Sequence, residues 1–202
     1  SVRKVQQFSK GESTLGGKDV WIDESVGKLN FESRGKYLGK FNSNDMLLCV
    51  KKNGFYSLLT VGLNLRFKLD EVSILEKFSK HSVLSCMYYD SISKTNYIKR
   101  FHIETTTQNK EFSFLNESRG TRLLLLTSKP DSFFQFNYHS DAGSKKIKKI
   151  DVDSFVSVKG WKSIGNKVNN YKRMSAFEVI ENHSDELREH LEQNELDIGE
   201  DD

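Results

Sequence analysis

The 202-residue sequence has few cysteines and no long hydrophobic run, and each absence excludes a class of protein. It contains two cysteines, Cys49 and Cys86, too few for the disulfide framework of a small secreted domain. Its longest compact apolar run, the four leucines at 123–126, is far shorter than the ~18 residues of a membrane-spanning helix. We therefore expect a cytoplasmic protein that has no membrane partner.

The sequence also lacks a recognisable catalytic or metal-binding motif. Its five histidines do not have the spacing of metal ligands, and the two cysteines are far apart. The glycine-rich segment 11–19 is superficially like a phosphate-binding loop, but Asp19 stands where such a loop needs a Ser or Thr for Mg²⁺. No Gly-x-Ser-x-Gly nucleophile motif is present. We predict that this chain performs no bond chemistry and holds no cofactor or metal.

Charge is distributed unevenly along the chain, whose formal net charge is +3. Residues 181–202 contain ten acidic side chains and one basic side chain, a net charge of −9. Residues 1–180 contain 30 basic and 18 acidic side chains, a net charge of +12. The strongly basic body favours a polyanionic partner. The strongly acidic tail could compete with that partner for the basic residues of the body.

The body of the chain has the pattern of strands separated by turns. Its clearest signal is Asn53-Gly54 between two hydrophobic runs, which predicts a β-hairpin of 46–50 with 55–59. Similar patterns predict four further hairpins: 20–22 with the strand at Leu29, 83–89 with 97–103, 123–126 with 133–138, and 155–158 with the segment from Trp161 onward.

These units recur along the sequence. Equivalent strand positions between Cys49 and Val156 are 33 to 39 residues apart, and the tetrapeptide Glu-Ser-Arg-Gly occurs at 32–35 and again at 117–120. A unit of roughly 35–45 residues with a central hairpin is typical of a propeller-like array of four-stranded blades. The repeat therefore predicts an all-β fold with four or five blades.

Two strands are apolar at consecutive positions, 47–50 and 123–126. This pattern predicts strands that are buried on both faces, as in stacked blades, because an open sheet with one wet face would alternate. An unrelated β-sandwich with coincidental spacing is the alternative fold.

We divide the chain into three parts. Residues 1–18 form an N-terminal linker that leads into the domain, 19–176 form the β domain, and 177–202 form an acidic tail that is partly helical or disordered. Within the tail, Ser184 followed by acidic residues predicts the start of a short helix.

Basic residues cluster at turns and strand ends, where they could contact phosphates along a curved rim. The aromatic residues between them are expected to pack in the core, which favours binding to a duplex backbone over stacking on unpaired bases. A solvated charged face is the plain alternative. We predict a DNA interface of thirteen residues: Arg34, Lys36, Lys51, Lys52, Lys99, Arg100, Lys145, Lys146, Lys148, Lys149, Lys159, Lys162 and Lys167.

Several motifs occur in the order found in a known family. The chain resembles the C-terminal region of the A subunit of a bacterial type IIA DNA topoisomerase (topoisomerase IV or DNA gyrase), and most closely the Bacteroidetes versions. The likeness lies in segments 2–5, 10–21, 27–39, 98–101 and 158–167 and in the Asn53-Gly54 hairpin. The likeness covers most of residues 1–180. It implies a β-pinwheel, a propeller-like disc of four to five four-stranded blades that exchange strands and whose rim binds and bends double-stranded DNA.

The resemblance also implies what lies outside this chain. The catalytic tyrosine would belong to the topoisomerase core upstream in the same protein, and ATP and Mg²⁺ would act in the full heterotetramer that includes a B subunit. The Gln-Arg-Arg-Gly-Gly-Lys-Gly box of gyrases has no match here; 15–19 and 158–160 are its nearest counterparts. We therefore expect relaxation and decatenation, as in topoisomerase IV, with a role in chromosome segregation at the nucleoid.

A second function fits the same composition. The domain could be a propeller-like scaffold that binds an acidic protein and has no role on DNA. Flat DNA titrations together with a stable protein partner would favour that alternative.

Overall fold

The computed structural model describes residues 17–181, and their regular structure is almost entirely β-strand. The helix in this part of the chain is α1 (Val152–Phe155), a single turn. The strands are β1 (Lys18–Asp23), β2 (Lys28–Asn30), β3 (Lys36–Phe41), β4 (Met46–Lys51), β5 (Phe55–Thr60), β6 (Val72–Lys77), β7 (Val83–Asp90), β8 (Thr95–His102), β9 (Glu111–Ser113), β10 (Arg122–Thr127), β11 (Phe133–His139), β12 (Lys145–Asp151), β13 (Val158–Lys159), β14 (Asn166–Val168) and β15 (Lys172–Ile180).

The strands of the described residues form four sheets, none of which is closed on itself. Sheet I has the order β2-β1-β3, sheet II has β6-β4-β5-β9, and sheet IV has β12-β11-β15. Sheet III has the order β10-β7-β8-β13, and β14 also pairs with β8. The prediction of an all-β fold is therefore confirmed.

Each sheet is built on one antiparallel hairpin, and three of these are the predicted ones: β1–β2, β4–β5 and β7–β8. In the β4–β5 turn, Gly54 has a φ of 87° and donates its N–H to the Lys51 carbonyl at 3.0 Å. A side chain at this position would be strained, because the conformation is left-handed and a Cβ would lie 2.8 Å from Leu115. The fourth hairpin, β11–β12, is one that the sequence pattern missed.

The predicted hairpin of 123–126 with 133–138 is wrong. β10 pairs with β7, whereas β11 pairs with β12 and β15, so the two runs lie in different sheets. The chain does turn at 129–131, where Asp131 has a φ of 53°. A turn signal is the same whether the chain reverses within one sheet or crosses to the next, so it does not identify the partner strand.

The predicted hairpin at 155–158 is also wrong. The Asp151 carboxylate caps α1 by accepting the N–H groups of Asp153 and Ser154, at 3.2 and 3.4 Å. This cap starts a helical turn directly after β12. β13 then runs parallel to β8 in sheet III, so the chain has crossed to another sheet instead of folding back on itself.

After each later hairpin, the chain returns to the preceding sheet before it completes its own. After β7–β8, Gln108 forms a parallel bridge with Leu58, and β9 pairs antiparallel with β5 of sheet II. After β11–β12, β13 pairs parallel and β14 antiparallel with β8 of sheet III. After β4–β5, a single bridge joins Arg66 to Lys28 of sheet I. We call β9, β13 and β14 the return strands; they connect consecutive sheets.

A third strand then completes each sheet beside the first strand of its hairpin, as β3, β6, β10 and β15 do. The two Glu-Ser-Arg-Gly copies occupy the same place in this pattern, since 32–35 precedes β3 and 117–120 precedes β10. Their glycines, Gly35 and Gly120, have φ values of 84° and 95°, which favour glycine. The sequence repeat therefore corresponds to a structural repeat.

Three hydrophobic clusters form the interior. All four residues of 47–50 are buried, which confirms that both faces of β4 are covered. Of the leucines at 123–126 only Leu125 is buried, because β10 lies at the edge of sheet III. No helix in the described residues is long and apolar enough to cross a membrane.

The ordered sheets extend slightly beyond the predicted domain limits of 19 and 176. β1 begins at Lys18 and β15 continues to Ile180, four residues into the segment predicted as tail. Most of the predicted linker and of the acidic tail, including the predicted helix at Ser184, lie outside the described residues.

Candidate nucleic-acid interface

The structure separates the thirteen predicted residues by their exposure. Lys99 is buried, and Lys51, Arg100 and Lys148 are partly buried. The other nine are exposed to solvent: Arg34, Lys36, Lys52, Lys145, Lys146, Lys149, Lys159, Lys162 and Lys167.

The four lysines between 145 and 149 lie on β12 and divide between its two faces. β12 pairs with β11 without a bulge, so successive side chains alternate. Lys146 and Lys148 are on the face of the buried Ile150, and Lys145 and Lys149 are on the opposite face. A phosphate backbone lying against one face therefore meets two of these lysines directly.

Aromatic rings lie beside two of these lysines. The Lys149 ammonium is 4.3 Å from the centre of the Phe133 ring, and that of Lys148 is 6.0 Å from the centre of the Tyr171 ring. Both separations lie within the range of a cation–π contact. The rings therefore help to hold the ammonium groups in place while leaving Lys149 exposed.

The second set of predicted cations lies on and beside the return strands of sheet III. Lys159 is in β13, Lys167 is in β14, and Lys162 lies between them with its ammonium 5.1 Å from the Trp161 ring. All three are exposed.

A cavity of about 450 Å³ joins the two sets, because Lys148 and Lys149 of β12 and Lys167 of β14 all line it. Phe155 and Tyr171 form part of its wall. Residues that are distant in sequence thus make one concave basic surface between sheets III and IV. We call the cavity and its three lysines the basic groove.

Lys99 has a structural role instead of a surface one. Lys99 is only 2% exposed. Its ammonium donates hydrogen bonds to the carbonyl groups of Phe114, Trp161 and Ser163, the last two at 2.8 and 3.2 Å. Burial lowers the pKa of Lys99. The ammonium is not accessible to a phosphate, so the structure removes Lys99 from the predicted interface.

Arg100 is likewise committed to the protein. Its side chain is 14% exposed and forms a 3.1 Å ion pair with Asp153. It also donates to the carbonyl groups of Asp153 and Val156, at 3.4 and 3.3 Å. These contacts attach α1 and the start of the return path to β8, which argues against Arg100 as a main phosphate contact.

The remaining predicted cations differ in how free they are. The Lys51 ammonium pairs with Glu111 of β9, and the hydrogen bond to this carboxylate raises the pKa of Lys51. Arg34 forms a 3.0 Å ion pair with Glu32, but both side chains are exposed, and such pairs contribute little. Lys36 and Lys52 are exposed, so they stay available to a polyanion.

Sequence reasoning missed one basic pair. Lys28 and Arg66 are both exposed and face each other across the bridge between sheets I and II. The signal was available, because Arg66 lies in the return path after β4–β5, just as Lys159 and Lys167 lie in the return path after β11–β12. Aligning the repeats would have shown this correspondence.

Among residues 17–181, no group of three or more His, Cys, Asp or Glu side chains is placed to hold a metal ion. The cysteines are buried, and burial raises the pKa of Cys49 to about 11 and that of Cys86 to about 12. Neither thiol is therefore poised as a nucleophile at neutral pH.

The sequence matches a protein-family model described as "Topoisomerase C-terminal domain, Bacteroidota", over residues 28–179. This match includes the motifs at 27–39 and 158–167 almost completely, and it confirms the resemblance drawn from them. No curated protein matches the chain.

Proposed function

We propose, because the chain belongs to the topoisomerase C-terminal domain family of Bacteroidota, that it binds and bends duplex DNA for the enzyme of which it is part. The observation that carries this proposal is the family match over 28–179. The basic groove supports it, since it is a concave surface lined by cations from two sheets.

The contribution of this domain would be geometric. Lysines on β12 and on the return strands would contact phosphates on the duplex backbone and fix its position without reading its sequence. Bending a 20–30 base-pair segment costs on the order of 1–6 kcal/mol, which several phosphate contacts can offset. The bent segment would then be presented for ATP-dependent strand passage.

We further propose that the four sheets are the blades of a β-pinwheel. The return strands support this arrangement, because they give each of sheets II and III a strand from the following repeat. Four sheets favour four blades over five.

The rest of the enzyme would supply the chemistry. In this proposal the catalytic tyrosine lies in the topoisomerase core of the same protein, and ATP and Mg²⁺ act with the B subunit in the cytoplasm at the nucleoid. The absence of a gyrase-type box from the sequence supports a topoisomerase IV-like enzyme, with relaxation and decatenation in chromosome segregation as its task.

The test is a salt titration of duplex binding. Fluorescence anisotropy with a labelled 30-base-pair duplex should show affinity that falls steeply with KCl, at a log–log slope of about −0.9 per phosphate contact. The triple variant Lys149→Gln, Lys159→Gln, Lys167→Gln should bind more weakly and lose about one unit of slope per contact removed.

The matched control replaces three exposed lysines elsewhere: Lys80→Gln, Lys94→Gln and Lys110→Gln. It changes the net charge equally and should affect binding much less. Equal losses in both triple variants would mean that the surface formed by the basic groove and β13 does not bind the duplex. No duplex binding at low salt would contradict the proposed function.

A further inference from the structure

The outer edge of β12 carries no return strand within residues 17–181, in contrast to the outer edges of β5 and β8; β2 of sheet I has a single isolated bridge there. In sheets II and III the second strand of each hairpin, β5 or β8, carries return strands on its outer edge. β12 is the second strand of the hairpin in sheet IV, and within residues 17–181 it pairs only with β11. Its outer N–H and C=O groups are therefore left without a strand partner in this part of the chain.

The two complete sheets show what kind of strand such an edge takes. β9 pairs antiparallel with β5 at Phe55 to Ser57, and β14 pairs antiparallel with β8 at Asn96 to Ile98. In both cases the added strand is three residues long and lies near the start of the hairpin's second strand. By the same geometry, the vacant position on β12 lies around residues 145–149.

The side chains of this edge select the charge of the added strand. Each face of β12 carries two lysines, and Ile147 between Lys145 and Lys149 is 66% exposed. A second copy of β12 would place lysine against lysine, which is unfavourable. An acidic strand would instead pair carboxylates with these lysines, and an apolar residue could cover Ile147.

We propose that the outer edge of β12 binds an extended acidic segment of a protein partner as an added antiparallel strand. Main-chain hydrogen bonds would provide affinity, and the lysines would provide selectivity for acidic residues. This docking site goes beyond the DNA role and does not depend on it. Since β12 also contributes to the basic groove, the partner and a duplex would compete for the same lysines.

The test uses a labelled ten-residue peptide of alternating Val and Glu, and the 1–202 chain. In one register the Glu side chains lie on the face of Lys146 and Lys148 while Val covers Ile147. We expect saturable binding by anisotropy and at least tenfold slower hydrogen exchange at the outer amides of 145–149. The same peptide with every backbone amide N-methylated should bind at least tenfold more weakly, because it has no N–H group left to form the ladder.

Charge reversal gives the specificity control. Lys146→Glu with Lys148→Glu should weaken binding of the Val-Glu peptide, which keeps only the register that faces Lys145 and Lys149, and should permit binding of a Val-Lys peptide. Lys80→Glu with Lys94→Glu should do neither. Circular dichroism checks that each variant is folded.

Three outcomes would overturn the proposal. Equal binding of the N-methylated peptide would mean ionic attraction without strand addition. Outer amides that are already protected in the free chain would mean that another part of the chain, or a second copy, occupies the edge. No peptide binding would mean that the lysines only protect the edge from aggregation. Duplex binding is measured separately, so failure here leaves the DNA proposal untouched.

Discussion

Sheets III and IV are each built on a hairpin of the same kind, but within residues 17–181 the outer edge of the hairpin's second strand is covered in sheet III and open in sheet IV. In sheet III the second strand, β8, is covered by β13 and β14, and its lysine, Lys99, is buried under the carbonyl groups of the return path. In sheet IV the second strand, β12, has an open edge in the described chain, and its Lys149 is exposed. Whether a hairpin lysine is structural or free to bind is thus decided by the next repeat.

The sharpest way to break this comparison is to truncate one lysine in each sheet. Lys99→Ala leaves one buried and two partly buried carbonyl groups without their donor and opens a cavity, so it should lower the free energy of unfolding by roughly 2–5 kcal/mol. Lys149→Ala should change it by less than about 0.5 kcal/mol. Urea unfolding of both variants measures the difference, and similar losses in the two would contradict it.

A glycine pair tests the same contrast through the backbone. Gly165, in the return path, has a φ of 94°, and a Cβ there would lie 2.3 Å from the Ile98 carbonyl oxygen. Gly143, in the β11–β12 turn, has a φ of 84° with no atom within 4 Å of such a Cβ. Gly165→Ala should therefore cost about 3 kcal/mol and Gly143→Ala about 1 kcal/mol. Thermal unfolding measures both losses, and a larger loss of stability in Gly143→Ala than in Gly165→Ala would contradict this prediction.

The smallest expected effect is a pH dependence confined to sheet III. Burial lowers the pKa of Lys99 below its unfolded value of about 10.4, so between these two values the unfolded chain binds more protons than the folded one. The unfolding free energy of the wild type relative to Lys99→Met should therefore rise with pH in that window, by less than about 1.4 kcal/mol per pH unit.

The difference between the two proteins is the quantity to measure, because titrating groups distant from Lys99 contribute alike to both and cancel. The Lys99 charge lowers the pKa of the Cys86 thiol, which is about 12 in the wild type and higher without that charge, so the folded thiol stays protonated through this window in both. A matched pair, wild type and Lys149→Met, should show no such trend. A flat difference for Lys99→Met would mean that its ammonium is not desolvated.

The sequence predicted what depends on neighbouring residues. Asn53-Gly54 identified a hairpin, because its turn conformation is local, and the apolar run at 47–50 identified a doubly buried strand. It did not predict where 129–131 or 155–158 lead, because the partners of β10 and β13 are far along the chain. The lysine at 99 was misplaced for the same reason: its three acceptors are between 15 and 64 residues away.

The candidate site shows the same division. Charge counts identified β12 and the segment after it as basic, and most of those lysines are exposed. The lysines of β12 and Lys167 of β14 meet in one groove because the chain crosses to sheet III after the helical turn that Asp151 caps. Charge patterns do not reveal this capping contact.

The return strands also bear on the order in which the domain matures. During synthesis, sheet II cannot gain β9 until the β7–β8 hairpin has been made, and sheet III must wait for β13 and β14. Sheets II and III thus stay unfinished until the next sheet has begun, and a chain interrupted at either point exposes an edge upstream of the break. A frameshift or proteolytic cut near residue 157 would therefore damage a sheet whose own hairpin was synthesised more than fifty residues earlier.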